Sequence, residues 1–275
     1  MVDTSDFENM ERDGWSNPSI AKGYADGFEL ATRHVAEKLA DAVGAGPKMK
    51  VLDLCTGHGV VAKELVARGA TVWGLDFSEP MISLAESAVP KAQFVHGDAM
   101  AMEFSDEHFD AVTIGFGVPH FPDARQGLVE AARVLKPGGK IAFSIWRGKG
   151  SDGSFGWLFD AVGRLADPLI ALPAGPDAHV LVDIEVARPL LESAGFVDVR
   201  SIDVNSELCI QNPESLFELF DKGAVRAASL LGRQPTSRRD SIRSDLAGRV
   251  RADGANREGA YFVPAPSVLV SAVRT

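Results

Sequence analysis

The stretch VLDLCTGHGVVA, residues 51–62, decides the fold of this 275-residue chain. A short apolar run comes first, two glycines follow at Gly57 and Gly59, and residues that favour a helix end the stretch. This order predicts a buried strand, a tight turn and the start of a helix. Such turns let the main chain approach a nucleotide-like ligand closely, because glycine carries no Cβ. The surrounding residues have to decide which ligand that is.

Strands and helices alternate around this stretch from Lys50 as far as Trp146. Five apolar segments predict strands: KVLDLC, TVWGLD, AQFVHGD, FDAVTIGF and GKIAFSIW. Helices are predicted between the first and second, the second and third, and the fourth and fifth of them, as in right-handed βαβ units. We therefore predict an α/β fold with a doubly wound, mostly parallel sheet, whose ligands bind beyond the carboxyl ends of the strands.

Different patterns flank this core. Residues 1–46 are predicted to form an N-terminal helical cap, and residues 47–147 the α/β core that binds the ligand. Residues 148–275 are predicted to complete the sheet, with a helical lid inserted at about residues 211–258, before the last strand. The change of pattern near Trp146 is interpreted as an appended helical region, so the three segments are expected to form one integrated domain.

Charge and cysteine content exclude several classes of protein. With 45% hydrophobic and 24% charged residues, the composition is that of a soluble globular protein. A net charge of −10 argues against nucleic acid as the main partner, and the seven arginines between Gly232 and Arg257 are interpreted as a solvated helical face. Cys55 and Cys209 lack CxxC spacing, so neither a disulfide framework nor a bound metal is expected. We expect a cytoplasmic protein without a membrane-inserted segment, because no apolar run approaches roughly 18 residues.

The glycine turn alone fits two ligand classes. Gly57, Gly59 and Ala62 match the G-x-G-x-x-A pattern of nicotinamide-dinucleotide sites, and S-adenosylmethionine uses similar turns. Asp53, inside the preceding strand, favours the second ligand, because a carboxylate repels a pyrophosphate but attracts a sulfonium and an ammonium. Asp53 would also suit a bracing role, in which it accepts hydrogen bonds from backbone N–H groups.

Two further acids favour S-adenosylmethionine. Asp76 ends the second predicted strand and Asp98 the third. A carboxylate can accept hydrogen bonds from both hydroxyls of a ribose, and the exocyclic amine of adenine needs an acceptor. Either acid alone would also suit a helix N-cap, but two in register after the glycine turn point to the ligand.

Five segments in sequence order carry a family resemblance: VLDLCTGHG, GLDFSEPM, GDAMAMEF, FDAVTIGFG and EAARVLKPGGKI. Over about residues 51–146 the chain resembles class I S-adenosylmethionine-dependent methyltransferases. It looks most like the branch that contains the quinone-biosynthesis C-methyltransferases and many small-molecule methyltransferases. The resemblance implies a seven-stranded sheet whose last strand, here SVLVSAVRT, is antiparallel to the rest.

The resemblance also implies roles for single residues. Asp76 would bind the ribose, Asp98 and Ala99 would hold the adenine, and Phe77 and Met81 would pack on it. The full set of residues expected at the cofactor is Tyr24, Asp53, Cys55, Thr56, Gly57, Gly59, Asp76, Phe77, Met81, Asp98, Ala99, Met100, Gly115 and Phe116.

Two positions depart from the pattern of the resembled family. Cys55 replaces the first glycine of the turn. In the quinone enzymes an Arg-Asn pair follows the Phe-Gly that ends the fourth strand, whereas this chain continues with Val118 and Pro119. The second departure counts against a quinone acceptor.

Methyl transfer from a sulfonium is an in-line displacement, so the protein mainly supplies proximity, alignment and exclusion of water. His120, after the fourth strand, is the candidate base for an acceptor that must lose a proton, although a packing role would also explain it. Tyr24 is the second candidate catalytic residue and is expected to close over the cofactor or to shape the site; alternatively, it holds the N-terminal helix on the core.

We therefore expect S-adenosylmethionine-dependent methyl transfer to an O, N or C nucleophile of a small molecule, with S-adenosylhomocysteine as product. Two alternatives are a protein that binds the cofactor without transferring methyl, and an RNA methyltransferase. The sequence leaves the acceptor and a homodimeric state open.

Overall fold

The computed structural model describes residues 4–275. Its α-helices there are α1 (Ser5–Trp15), α2 (Pro18–Val43), α3 (Val60–Ala67), α4 (Glu79–Ala88), α5 (Ala124–Val134), α6 (Ser154–Leu165), α7 (Ile184–Ser193), α8 (Ser215–Gly223), α9 (Val225–Gly232) and α10 (Thr236–Asp253). The strands are β1 (Lys50–Leu54), β2 (Thr71–Asp76), β3 (Gln93–His96), β4 (Phe109–Gly115), β5 (Leu135–Trp146), β6 (Phe196–Val204), β7 (Glu207–Ile210), β8 (Ala255–Arg257), β9 (Ala260–Pro264) and β10 (Ser267–Arg274). These elements fall into two compact units.

A seven-stranded sheet forms the centre of one unit, which comprises Thr32–Ile145, Pro176–Val204 and Ser267–Thr275. The strand order is β3-β2-β1-β4-β5-β10-β6. The pairs β2–β3, β1–β2, β1–β4 and β4–β5 are parallel, whereas β10 is antiparallel to β6. These pairings confirm the predicted doubly wound, mostly parallel sheet and the antiparallel last strand.

The strands are held in place by their apolar side chains. Leu52 and Leu54 of β1 are fully buried, as are Val112 and Ile114 of β4. Strand β1 lies between β2 and β4, so the chain winds outward in opposite directions from the β1–β4 pair. Ligands of such sheets bind at this reversal, beyond the carboxyl ends of the strands.

Helix termini around this sheet follow local signals in the sequence. Ser78 caps α4, since its Oγ accepts a hydrogen bond from the Met81 nitrogen at 3.2 Å, and Pro80 lies in the first turn. Gly195, directly before β6, has φ +93°, which suits glycine. Serine before a helix and glycine after one are the residue types that local sequence favours at such ends.

The other unit contains α1, the first part of α2, α6 and α8–α10, and its bounds in the described chain are residues 4–31, Trp146–Gly175 and Asn205–Pro266. It also holds a three-stranded antiparallel sheet, β7-β9-β8. The sequence predicted helix within residues 1–46 without distinguishing α1 as a separate helix, and it did not predict this sheet. The boundaries predicted for the cap, core and lid stay predictions. Within residues 4–275, no helix combines the length and the apolar character that crossing a bilayer requires.

Candidate active site

The turn between β1 and α3 follows an irregular path. Cys55, Gly57 and Gly59 have φ values of +56°, +54° and +85°, in the left-handed region. A Cβ on Gly59 would lie 3.2 Å from the Cα of Ala85, so this glycine lets α4 pack closely. A Cβ on Gly57 would meet no atom within 4 Å. Gly57 therefore marks the open side of the turn.

Asp53 is fully buried beneath this turn. Its Oδ2 accepts hydrogen bonds from Thr56 Oγ1 at 2.7 Å and from the Ala62 nitrogen at 3.1 Å, and its Oδ1 accepts one from Thr113 Oγ1 at 2.9 Å. Burial raises the pKa of Asp53 to about 7, and these hydrogen bonds oppose the rise. The contacts brace β1, the turn and β4 against one another. Direct contact of Asp53 with the cofactor stays a prediction.

Asp76 joins the turn to the end of β2. Its Oδ2 accepts a hydrogen bond from the Gly57 nitrogen at 2.8 Å, and its Oδ1 accepts one from the Ser78 nitrogen at 2.9 Å. Burial raises its pKa, while backbone hydrogen bonds and the charge of His120 lower it. A carboxylate offers about four acceptor positions, so these donors leave capacity for a ribose hydroxyl.

The loop after β3 carries the third acid. Asp98 Oδ1 accepts a hydrogen bond from the Met100 nitrogen at 2.8 Å, and Ala99 is buried next to it in the sequence. His96 donates from Nε2 to the Phe77 carbonyl at 2.8 Å, an assignment that follows because a carbonyl only accepts. This contact ties the ends of β2 and β3 together. His96 is not among the residues predicted to bind the cofactor.

Strand β4 ends in a second strained segment. Gly115 is followed by Phe116, which has φ +61° and whose nitrogen donates to Ser144 Oγ at 3.1 Å. A Cβ on Gly117 would lie 2.5 Å from the Cβ of Cys55, so the loops after β1 and β4 touch here. Strain of this kind in non-glycine residues is concentrated at functional sites.

Three carboxylates converge near the same point. Burial raises the pKa of the Cys55 thiol well above its ordinary value, and the negative charges of Asp76, Asp53 and Asp98 raise it further. The predicted acids lie at the same edge of the sheet, because β1, β2 and β3 are parallel neighbours. Acids at these positions offer acceptors to the donor groups of a ligand.

The remaining predicted residues have the following positions. Met81 is buried on α4, and Phe77 is half-buried between β2 and α4. His120 ends the short 3-10 turn Val118–His120, within electrostatic reach of Asp76.

Tyr24 belongs to the other compact unit. Its ring stacks on Phe28 with centroids 4.8 Å apart and meets the edge of Trp15 at 5.4 Å. Burial raises its pKa. Both roles expected of it, at the cofactor and in catalysis, stay predictions. Residues 4–275 hold no group of His, Cys, Asp and Glu side chains suited to a metal ion.

Known proteins share both the sequence and the fold of this chain. A family model described as a methyltransferase domain matches residues 52–143. The demethylmenaquinone methyltransferase of Renibacterium salmoninarum is 41% identical over 206 residues, which cover 71% of this chain and 84% of that protein. The chain belongs to the class I S-adenosylmethionine-dependent methyltransferases, in the quinone C-methyltransferase branch. S-adenosylmethionine is the cofactor of this methyltransferase family.

Two solved methyltransferase structures share the fold. A phosphoethanolamine N-methyltransferase of Haemonchus contortus, solved with S-adenosylhomocysteine, has a TM-score of 0.58 at 17% identity and covers 100% of this chain and 60% of its own. The geranyl diphosphate C-methyltransferase of Streptomyces coelicolor A3(2), also with S-adenosylhomocysteine, has a TM-score of 0.51 at 15% identity, with coverages of 88% and 78%. Because one acts at nitrogen and the other at carbon, the shared fold does not determine the acceptor atom.

Proposed function

We propose that this methyltransferase transfers the methyl group of S-adenosylmethionine to a carbon, nitrogen or oxygen nucleophile of a small molecule. The observation that carries the proposal is the arrangement of acids around the open glycine turn. Asp53 accepts a hydrogen bond from Thr56 Oγ1, Asp76 accepts one from the Gly57 nitrogen, and Asp98 follows β3, which pairs with β2. Acids at these positions suit a ligand that offers hydroxyl and amine donors and carries no phosphate.

The cofactor is assigned to residues at the ends of β1–β4. Asp76 accepts hydrogen bonds from the ribose, and Asp98 accepts one from the adenine amine. Phe77 and Met81 supply apolar contacts to the base, and Gly57 allows the main chain to approach the ligand. Asp53 lies beneath the turn and fixes its shape, because it accepts hydrogen bonds from Thr56 Oγ1 and the Ala62 nitrogen.

When bound, the cofactor supplies a methyl group already activated for in-line displacement. The residues of this chain then align the reactants and exclude water. Phe116 and Val118 are buried apolar residues beside the end of β4 and serve the second task. A ring nitrogen of His120 accepts the proton that an N or O acceptor loses.

The loop after β4 also bears on the choice of acceptor. Relatives of this chain are named for demethylmenaquinone. Where the quinone enzymes carry Arg-Asn, this chain has Val118 and Pro119, and both are buried. The loop therefore presents neither a guanidinium nor an amide at those positions. This difference supports an acceptor other than demethylmenaquinone.

Ion pairing in α10 and its surroundings supports a small molecule over RNA. All seven arginines between Gly232 and Arg257 are bonded within the protein, and five of them pair with acids. The acid pairs are Arg239–Asp221, Arg243–Asp240, Arg249–Asp160, Arg251–Glu214 and Arg257–Glu207, while Arg233 and Arg238 donate to the carbonyls of Ala171 and Leu165. RNA binding depends on basic side chains that neutralise phosphates.

Formation of S-adenosylhomocysteine, measured over a panel of acceptors, tests the proposal. The panel contains a prenylated demethylnaphthoquinol, phenols, amines, carbon acids and transfer RNA. We expect turnover with a small molecule and, if the acceptor must lose a proton, a loss of kcat of about 10²-fold or more in His120→Ala. His34→Ala is the control, because His34 is a half-buried histidine of α2 with no assigned role, and its kcat should not change. Cofactor binding without turnover on any acceptor supports a protein that binds the cofactor without transferring methyl. Turnover on transfer RNA alone supports an RNA methyltransferase.

A further inference from the structure

Helix α5 directs three polar side chains at the loop between β3 and β4. Gln126, Glu130 and Arg133 are spaced by four and three residues, so they lie on one face of the helix. We call residues 98–104 the adenine loop, because Asp98, Ala99 and Met100 are the residues assigned to the base. All three side chains bond to the main chain of this loop.

Met102 is held at both of its main-chain polar groups. Its nitrogen donates to Glu130 Oε2 at 2.9 Å, and its carbonyl accepts a hydrogen bond from Arg133 Nη2 at 2.8 Å. Glu130 and Arg133 are themselves paired, with Arg133 Nε 2.8 Å from Glu130 Oε1. Arg133 also donates from Nη1 to the Phe104 carbonyl at 2.7 Å. The Glu130–Arg133 ion pair therefore holds both the N–H and the carbonyl of Met102, and the planar guanidinium makes the geometry specific.

Met100 is held between the helix and the acid. Its carbonyl accepts a hydrogen bond from Gln126 Nε2 at 3.2 Å, and its nitrogen donates to Asp98 Oδ1 at 2.8 Å. The position of α5 is thus transmitted through one residue to the carboxylate assigned to the adenine amine.

We propose that Gln126, Glu130 and Arg133 are positioning residues for the cofactor, which set the adenine loop so that Asp98 is oriented for the base before binding. The inference rests on the proposed adenine role of Asp98. Orientation before binding removes an ordering cost from association and so raises affinity. None of the three side chains is assigned a direct contact with the cofactor.

Calorimetric titration with two ligands tests this role. S-adenosylhomocysteine carries the exocyclic amine, whereas S-inosylhomocysteine carries a carbonyl in its place. A carbonyl has no proton to donate, so it offers Asp98 no hydrogen bond. Gln126→Ala is the main variant, because this side chain is exposed and its loss costs the fold little. Arg125→Ala is the matched control, since it removes a similar side-chain bond from the same helix to the Ser193 carbonyl.

We expect Gln126→Ala to weaken binding of S-adenosylhomocysteine by about three- to tenfold, the effect of one neutral hydrogen bond. Binding of S-inosylhomocysteine should hardly change, so discrimination between the ligands falls. Turnover should show a raised KM for the cofactor at an unchanged kcat. Glu130→Gln keeps an acceptor for the Met102 nitrogen, so its affinity for S-adenosylhomocysteine should lie between those of the wild type and Arg133→Ala.

Two outcomes would overturn the inference. If Gln126→Ala discriminates between the ligands as well as Arg125→Ala does, the loop is not set by α5, although its adenine role stands. If the wild type itself does not distinguish the two ligands, the adenine role of Asp98 is wrong and the inference fails with it.

Discussion

The main-chain nitrogen of Gly57 donates a hydrogen bond of 2.8 Å to Oδ2 of Asp76, so the glycine turn and the acid after β2 are joined directly. The Ser78 nitrogen holds the other oxygen at 2.9 Å. The carboxylate is therefore held in one orientation before any ligand arrives. A group fixed in this way loses little conformational freedom when the ligand binds, which raises affinity.

Replacement of Asp76 should weaken cofactor binding severely. Asp76→Ala removes the proposed ribose acceptor and also leaves the Gly57 nitrogen without its partner. We expect the Kd for S-adenosylhomocysteine to rise on the order of 10- to 100-fold, since hydrogen bonds to charged groups are roughly twice as strong as neutral ones. Asp110→Asn is the control, because Asp110 also accepts a main-chain hydrogen bond, from Lys50, but lies at the amino end of β4. Equal Kd values for S-adenosylhomocysteine in Asp76→Ala and Asp110→Asn would show that Asp76 does not bind the cofactor.

Cys55 and Gly117 should be coupled energetically. A Cβ on Gly117 would lie 2.5 Å from the Cβ and 2.8 Å from the Sγ of Cys55. We expect Gly117→Ala to lower the free energy of unfolding by roughly 1–3 kcal/mol, as overpacking does. In the Cys55→Gly background the loss should be smaller, because the nearest atoms are gone.

Urea unfolding of the two single variants and the double variant measures this coupling as a double-mutant cycle. Gly163→Ala is the control for adding a methyl group, since its Cβ would meet no atom within 4 Å. Strictly additive effects of Cys55→Gly and Gly117→Ala would contradict the coupling.

The parts of the fold that sequence predicted are those with strong local signals. Buried strands read as short apolar runs, and the Ser78 cap follows from nearby residues alone. The convergence of Asp53, Asp76 and Asp98 was also predictable, because the carboxyl ends of parallel strands meet at one edge of the sheet.

Other features depend on partners far apart in the chain. The hydrogen bond that Thr113 donates to Asp53 spans 60 residues, and the one that His96 donates to Phe77 requires the register that pairs His96 with Asp76. A single sequence does not give such a register. Helix α1 was not distinguished as a separate helix, because its buried residues are only Phe7, Glu11 and Trp15 in an otherwise polar segment.

His96 should support cofactor binding through Phe77. His96→Ala removes the hydrogen bond to the Phe77 carbonyl and should raise the Kd for S-adenosylhomocysteine by about two- to tenfold. His96→Gln offers an amide N–H to the same carbonyl and should restore part of the affinity. Because His96 is exposed, the midpoint of thermal unfolding should hardly move in either variant. Equal binding by His96→Ala and the wild type would show that Phe77 needs no such support.

Burial of Asp53 should make the protein less stable as pH rises from about 4 to about 7. Its pKa is about 7 in the folded protein against an ordinary value of 3.8, so the folded state holds the proton that the unfolded state has lost in this range. Asp76, whose pKa burial also raises, contributes in the same direction.

Asp53→Asn removes the contribution of Asp53, so its free energy of unfolding should fall less steeply between pH 5 and pH 7 than that of the wild type. Urea titrations across that range measure the slopes, with Asp110→Asn as control because the pKa of Asp110 is lowered and its effect lies at more acidic pH. Parallel slopes for Asp53→Asn and the wild type would mean that Asp53 is already ionised at pH 5.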